Sequence, residues 1–359
     1  LGELGLFLDG RIIMFQSLSN FRNIFGPNPF KTTTPEYYEW KISKNPYQEG
    51  HIYLESRDGI VVGSTTVTPK RIHSFGKTII GAEIGDSYTH PNYRRQGIFS
   101  RAVNECTGYA TSHGIDFLYA TPTAQSDSLL GFKEKLGYPP CEHSKLKLMT
   151  KYVHLLPVHN AIFRKYGKNI VTRMLACMYF YFITFRYRIS KQVSTISITR
   201  ANQFPEELDG LWGAKRDDYA FYVIRDHTYL HWRFIQNPDE YIVFLAELGG
   251  LCVGYLVAKL SKVEEYCVGT LCDFATEKDR CDVFSALLSK AQETLVECGA
   301  HYIQVICVDK SPYYATLCRA GYGSRDDRPV VVFSGTAIGK QVLQKDARWY
   351  FTIADSDII

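Results

Sequence analysis

The sequence predicts an α/β chain made of two similar units in tandem. Three observations predict it. An internal repeat keeps its order while its shift drifts slowly. Each copy alternates β-rich stretches with helical ones. The length of 359 residues suits two domains at roughly 100–200 residues each.

The repeat fixes the organisation. Trp40, Asn45 and Pro46 recur as Trp232, Asn237 and Pro238, a shift of 192. Val62-Gly63 recurs as Val253-Gly254. Phe99-Ser100 and Phe284-Ser285 lie 185 apart, as do His113-Gly114-Ile115 and Cys298-Gly299-Ala300, and Gly137-Tyr138 and Gly321-Tyr322 lie 184 apart. A drift of this kind is what small loop deletions leave in a duplicated domain. In each copy a helix carrying the Trp is stopped by Asn-Pro, because proline cannot continue a helix and restricts the residue before it. In the first copy, β-rich runs follow at 51–55, 60–69 and 78–88. A helix is expected over 98–113 with Gly114 closing it, then a short apolar strand at 116–120, a helix at 126–136 ending before Gly137, and a strand near 145–150. The second copy starts with a β-like run at 193–199. The expected units are 1–150, a helical connector 151–192, a second unit 193–334 and a tail 335–359, whose 336–345 could form a helix and whose Trp349-Tyr350-Phe351 suggests anchoring as a strand.

Composition narrows the classes of function. Hydrophobic residues make up 45% and charged residues 22%, as in a globular chain. A net charge of +4 is too mild to argue for nucleic acid, although it tolerates a polyanionic small ligand. Aromatics reach 14%, enough to furnish cores and ligand clefts. The ten cysteines are irregularly spaced and form no CxxC, so they read as mostly buried free thiols of a reducing, cytoplasmic compartment rather than a metal site. No secretory leader is visible at the N-terminus. The longest apolar run, Met174–Phe185, has 12 residues, short of the ~20 a spanning helix needs. It is expected to bridge the units as a buried element, with a helix lying in a membrane interface as the alternative.

The segment that carries chemistry is Thr89-His90-Pro91-Asn92-Tyr93-Arg94-Arg95-Gln96-Gly97-Ile98-Phe99, which joins a strand to a helix. Unsatisfied N–H groups and the positive end of the helix make such a turn an anion site. Gly97 lets a phosphate approach closely, and Arg94 and Arg95 add charge. A pyrophosphate would fit. His90 is expected to order the loop.

At this loop the sequence resembles the GNAT family of acyl-CoA-dependent N-acyltransferases. The family's loop, Arg/Gln-x-x-Gly-x-Gly/Ala, is matched by Arg94 and Gly97, while Phe99 departs at the third anchor. Phe132-Lys133-Glu134-Lys135-Leu136-Gly137-Tyr138 stands where the family has an aromatic-Tyr-Glu-Lys-Leu-Gly-Phe motif, and the Thr-His-Pro lead-in is similar to the branch with two GNAT domains. The resemblance covers about 51–150, and 230–333 through the repeat. It implies coenzyme A, as the acyl-CoA donor, held by Tyr88, Thr89, Arg94, Arg95, Gln96, Gly97, Ile98 and Phe99. The second copy reads Asp279-Arg280-Cys281-Asp282 at the loop, without the glycine and with repelling carboxylates. One coenzyme A site is therefore expected, with the second unit a degenerate copy.

Direct acyl transfer needs a neutral amine, hence a base, and a donor to the thioester oxygen. The resemblance places that donor in the backbone of Asp86–Thr89. Glu83 and Asp86 are the two base candidates. Three residues apart, they fall on opposite faces of an ideal strand, which a bulge of the kind common in the family would change. The resemblance also implies a Tyr as general acid at the position occupied here by Lys133, so that assignment fails. Tyr119 and Tyr138 read as core. Asp355, Asp357 and the carboxylate of Ile359 form an acidic end that could supply a base instead. The acceptor is expected to be a small-molecule amine, with the amino group of a nucleotide-linked amino sugar in the lead. An aminoglycoside or polyamine acceptor is the alternative, and a non-catalytic coenzyme A-binding protein a third reading. Neither a metal, a nucleic-acid partner nor an integral membrane segment is expected, and the oligomeric state is open.

Overall fold

The computed structural model describes residues 2–26, 28, 30–142, 145–186, 195–213, 218–309, 311–344 and 348–356. In chain order the elements of the first half are α1 (Gly2–Asn23), α2 (Pro35–Ile42), β1 (His51–Arg57), β2 (Ile60–Ser74), β3 (Lys77–Thr89), α3 (Ile98–Ser112), β4 (Phe117–Ala120), α4 (Asp127–Lys135) and β5 (Leu146–Tyr152). The hairpin α5 (Leu155–Tyr166) and α6 (Ile170–Arg186) follows. The second half holds β6 (Ser197–Ala201), α7 (Leu208–Gly213), β7 (Phe221–Val223), α8 (His227–Leu230), β8 (Ile242–Leu248), β9 (Leu251–Val263), β10 (Tyr266–Thr276), α9 (Cys281–Glu297), β11 (Tyr302–Val308), α10 (Pro312–Arg319), β12 (Gly323–Arg328), β13 (Val331–Val332) and α11 (Ala337–Val342).

Local chemistry accounts for the boundaries. Thr34 caps α2, with Pro35 opening the first turn. Ser126 caps α4 through Leu129 N–H at 3.2 Å, and Ser311 caps α10 through Tyr314 N–H at 3.1 Å. Gly114 follows α3 with φ +70°, the left-handed end that glycine permits. Gly63 and Gly254, paired by the repeat, meet a second requirement. A Cβ at Gly63 would lie 2.3 Å from Ile98 Cγ2, and one at Gly254 would lie 2.9 Å from the Ala275 carbonyl. Both are sites of close approach rather than turns.

Two mixed sheets result. The first runs β1-β2-β3-β4-β13, with β7 added against β2; the second runs β12-β5-β11-β10-β9-β8-β6. In each, one parallel pair sits among antiparallel strands: β3 with β4, and β10 with β11. The expected strand near 145–150 forms, but β5 pairs with β11 and β12 in the second sheet. In return, β13 from the second half pairs with β4 in the first. Each sheet thus completes itself with a strand of the other half, and one large core crosses both. At the junction Trp40 and Trp232 stack at 4.8 Å and 20°. Each indole N–H donates to the other's carbonyl, at 2.9 and 3.3 Å, so the repeated tryptophans meet as a reciprocal pair.

Among the described residues the tail is held by its aromatic side chains, by the ion pair of Asp355 with Arg225 and by isolated bridges to Phe221 and Cys307. Trp349 packs on Phe221 and Phe117, Tyr350 on Trp212 and Tyr313, and Phe351 on Tyr119. The apolar run Met174–Phe185 does not form the buried bridge expected of it. It lies in α6, much of which is solvent-exposed.

Candidate active site

The loop predicted to bind an anion has the geometry that role needs. After a short 3-10 turn at Pro91–Tyr93, Gly97 takes φ +75° and starts α3 without any side-chain cap. The first N–H groups of α3 therefore keep their donors for an outside acceptor. Arg101, one turn along, donates to the Gln96 carbonyl at 3.0 Å and is paired with Glu55 at 2.6 Å, which fixes the loop from behind. Arg94, Arg95, Gln96 and Gly97 are exposed, with Arg95 also left-handed at φ +63°. His90 accepts from Asn92 N–H at 3.2 Å and so orders the loop. Ile98 is buried over Gly63, and Phe99 packs against Phe132 at 5.2 Å and over Gly131. These two can offer only backbone to a ligand. Phe99 stands in for the family's small residue because its ring tucks between α3 and α4.

Next to this loop the first sheet opens. The β3–β4 pairing runs through Glu83 and Tyr119 and ends there. Beyond it, a cavity of about 610 Å³ lies between the ends of the two strands, closed by the segment after α1. Its walls include Asp86, Ser87 and Tyr88 from β3, Thr121 from beyond β4, and Arg22 and Lys31. A bulge interrupts this strand. Ser64 pairs with Tyr88 but Thr66 pairs with Gly85, and Asp86 sits at φ +44°. One extra residue thus turns Asp86 out of the strand's alternation.

The two candidate carboxylates differ in role. Asp86 lines the cavity and lies among cations: Lys41 Nζ at 2.8 Å, Lys31 Nζ at 3.2 Å and Arg22 Nε at 3.5 Å. Arg22 also covers the Tyr88 ring at 3.3 Å. Glu83 is buried beneath the cavity and pairs with Lys70 at 2.8 Å. It accepts from the Thr121 hydroxyl at 3.1 Å, and that hydroxyl also meets Ser356 Oγ at 2.7 Å. Lys70 is bonded in addition to Tyr119 Oη and the Asp355 carbonyl, both at 2.8 Å. Its pKa is held below the usual lysine value because burial penalises the ammonium more than Glu83 and Asp355 favour it.

The acidic tail resolves in part. Asp355 is buried, with its carboxylate 2.5 Å from Arg225 Nη2 and accepting from Thr352 N–H at 2.9 Å. It is an ion-pair partner, removed from the cavity. Asp357 and Ile359 lie outside the described residues. Lys133 is exposed on α4. Tyr119 and Tyr138 are core residues, their hydroxyls bonded to the Asp355 carbonyl at 2.6 Å and to Thr107 at 2.8 Å, and burial raises both pKa values.

The second half has spent the matching features on its own structure. Asp279, at φ +52°, accepts from Tyr219 and Tyr313 hydroxyls at 2.6 and 2.7 Å, and Arg280 pairs with Asp282 at 2.6 Å. Beyond the β10–β11 pairing, Asp273 binds Arg225, Tyr255 and Thr352, and the Tyr350 hydroxyl donates to the Phe274 carbonyl. The tail occupies the opening that the first sheet leaves as a cavity. Sequence reasoning missed Arg22, Lys31, Lys41, Lys70, Thr121 and Arg225. They come from six separate places in the chain, and no local spacing marks them.

Residues 15–138 match the acetyltransferase (GNAT) family. That stretch has the GNAT fold. The enzyme class is that of an N-acyltransferase with acyl-CoA as donor, and the loop and cavity fall inside the matched domain or beside it. Solved structures share the fold over most of the chain. Saccharomyces cerevisiae N-myristoyltransferase with bound myristoyl-CoA aligns at TM-score 0.60 and 12% identity, covering 84% of this chain and 74% of that one. A tandem GNAT protein from the clavulanic acid biosynthesis pathway aligns at TM-score 0.57 and 13% identity, covering 90% and 93%. A GCN5-related N-acetyltransferase from Anabaena variabilis aligns at TM-score 0.57 and 12% identity, covering 88% and 69%. No curated protein matches the chain in sequence. Among the described residues no helix is long and apolar enough to cross a membrane.

Proposed function

We propose that the protein transfers a short acyl group from acyl-CoA to the primary amine of an anionic small molecule, with a nucleotide-linked amino sugar as the leading acceptor. The observation that carries the reading is the charge of the cavity. Among its described wall residues, Arg22, Lys31 and Arg328 stand against one carboxylate, Asp86. A phosphate-bearing acceptor is attracted to such a wall, whereas an aminoglycoside or polyamine is repelled. Asp355, the acidic group that could have served a polycation, is committed to Arg225.

The donor fits the residues present. The uncapped start of α3, the left-handed Gly97 and the exposed Arg94 and Arg95 suit a pyrophosphate, and the cavity between β3 and β4 suits the arm that follows it. When bound, the donor supplies a thioester carbonyl activated toward amines. The chain's own groups do the rest. Backbone N–H groups in 86–88, displaced from the ladder by the bulge, are assigned to the carbonyl oxygen. Glu83 is assigned as proton acceptor through Thr121, whose hydroxyl joins the cavity wall to the buried carboxylate. Asp86 is assigned the task of holding Lys31, Lys41 and Arg22 around the bulge. The functional units are 1–150 for the donor, 151–192 as connector, 193–334 as degenerate copy and 335–359 as tail, with strand partners crossing those limits.

The test is product mass after incubation with acetyl-CoA and, separately, nucleoside-diphosphate amino sugars, aminoglycosides and spermidine. Acylation of a nucleotide sugar supports the reading. Preferential acylation of a polycation overturns the choice of acceptor. Binding of coenzyme A without turnover of any amine favours the non-catalytic alternative.

A further inference from the structure

The α5–α6 hairpin is built the wrong way round for a soluble surface. A helix on a globular protein normally buries its apolar stripe and turns polar residues outward. In α6 the buried positions are the small Thr172 and Ala176, one turn apart. The large apolar side chains face out: Ile170 is 69% exposed, Met174 63%, Met178 68% and Phe182 57%, and Val171, Leu175 and Tyr179 lie beside them. These positions recur at intervals of four and so form one continuous exposed face.

Charge says what covers it. Residues 151–192 hold eight Lys and Arg and no Asp or Glu. Lys165, Lys168 and Arg173 are exposed at the turn between the helices and along α6. Arg164 lies 3.8 Å from the Glu265 carboxylate, which answers its charge. A second copy of the chain on this face would bring two such cationic surfaces together, which is unfavourable. The 17 residues of α6 fall short of the ~20 that a spanning helix needs, and among the described residues no helix is long and apolar enough to cross a membrane. Exposed Tyr166, Tyr179 and Tyr181 are the amphipathic rings favoured at headgroup depth.

We infer that the exposed face of α6, with Lys165, Lys168 and Arg173, docks the protein on an anionic phospholipid surface. The apolar face enters the boundary between headgroups and acyl chains, and the cations meet the lipid phosphates. The inference stands independently of the acceptor proposed above.

The test is co-sedimentation of the full chain with phosphatidylcholine vesicles and with vesicles also containing phosphatidylglycerol. Binding is expected to the anionic vesicles, weakening with salt. Met178→Asp combined with Phe182→Asp should lower partitioning more than ~10-fold through lost apolar burial. Lys165→Gln, Lys168→Gln and Arg173→Gln together should lower it roughly 100-fold, at about fivefold per cation. All substituted side chains are exposed, and an unchanged melting temperature shows that the variants fold. No binding to either vesicle overturns the inference, as does binding that both variants retain. A dimer in sedimentation velocity that Met178→Asp/Phe182→Asp disperses, without vesicle binding, assigns the face to a second copy instead.

Discussion

Replacing Gly97 by Glu separates binding from folding, and the structure sets both magnitudes. Gly97 lies at φ +75°, where an L side chain costs about 1–2 kcal/mol. The added Cβ would sit 3.1 Å from Arg101 Nη1, the far end of a flexible side chain that can move. A carboxylate at the start of α3 gains about 0.3–1 kcal/mol from the helix dipole. The net cost to folding is therefore about 1 kcal/mol. Binding responds quite differently, because the new carboxylate occupies the place of a pyrophosphate. Coenzyme A at 100 times its dissociation constant should stabilise the wild type by about 2.7 kcal/mol. At about 2.1 cal/mol/K per residue, 359 residues convert that into a rise of about 3.6 °C. The assay is thermal unfolding with and without coenzyme A for wild type, Gly97→Ala and Gly97→Glu. Gly97→Ala carries the backbone strain without the charge and should keep most of the shift. Gly97→Glu should fold and lose it. A full shift in Gly97→Glu would refute the assignment of this loop.

Glu83→Gln should lower kcat by about 10²–10⁴ and abolish the rise of rate with pH, whereas Asp86→Asn should chiefly destabilise, by about 3–5 kcal/mol; a pH–rate profile unchanged in Glu83→Gln places the proton acceptor elsewhere. Burial pushes Lys151 down to about 8, so between about pH 8 and 10.4 the unfolded chain binds more protons and stability rises with pH. Burial of the Lys151 ammonium costs about 3 kcal/mol at pH 7, and methionine would leave Gln292 Oε1 without its donor at a cost of about 1 kcal/mol, so Lys151→Met should stabilise by about 2 kcal/mol at pH 7 and lose that advantage by about pH 10.4, as read by urea unfolding at both pH values. Trp40→Ala and Trp232→Ala should each cost about 3–5 kcal/mol in denaturant unfolding, and the double variant should fall short of the sum because the rings share one contact. Arg225→Met leaves Asp273 and Asp355 buried without their guanidinium; a loss of about 3–5 kcal/mol and protease sensitivity of the tail are expected, and an unaltered tail would show that its aromatic side chains suffice.

Much of the fold was legible because its signals are local. The Asn45-Pro46 stop after α2, Gly114 after α3 and the β-rich runs of β2 and β3 each act within a few residues, and those elements lie close to where the pattern puts them. The uncapped strand-to-helix turn at Gly97 was legible for the same reason, since a strand, a glycine and a helix start are contiguous. Phe99 departs from the family pattern without spoiling the loop, as its ring leaves the ligand side for Phe132. The expectation for α6 failed because apolar composition alone does not say which neighbour buries it.

By itself the sequence determined two related α/β units, their order, and the glycine turn that opens α3. These follow from residue types at fixed short spacings, where conformational preference and backbone hydrogen bonding decide. Tertiary structure alone decided the exchange of β5 and β13 between the sheets, the filling of the second cleft by the tail, and the difference between Glu83 and Asp86. Three residues apart in the chain, those two carboxylates are sorted by a bulge and by cations drawn from α1, α2 and β2. Charge pairing in a buried site acts through space at about 3 Å, and such neighbours exist only once distant segments have packed.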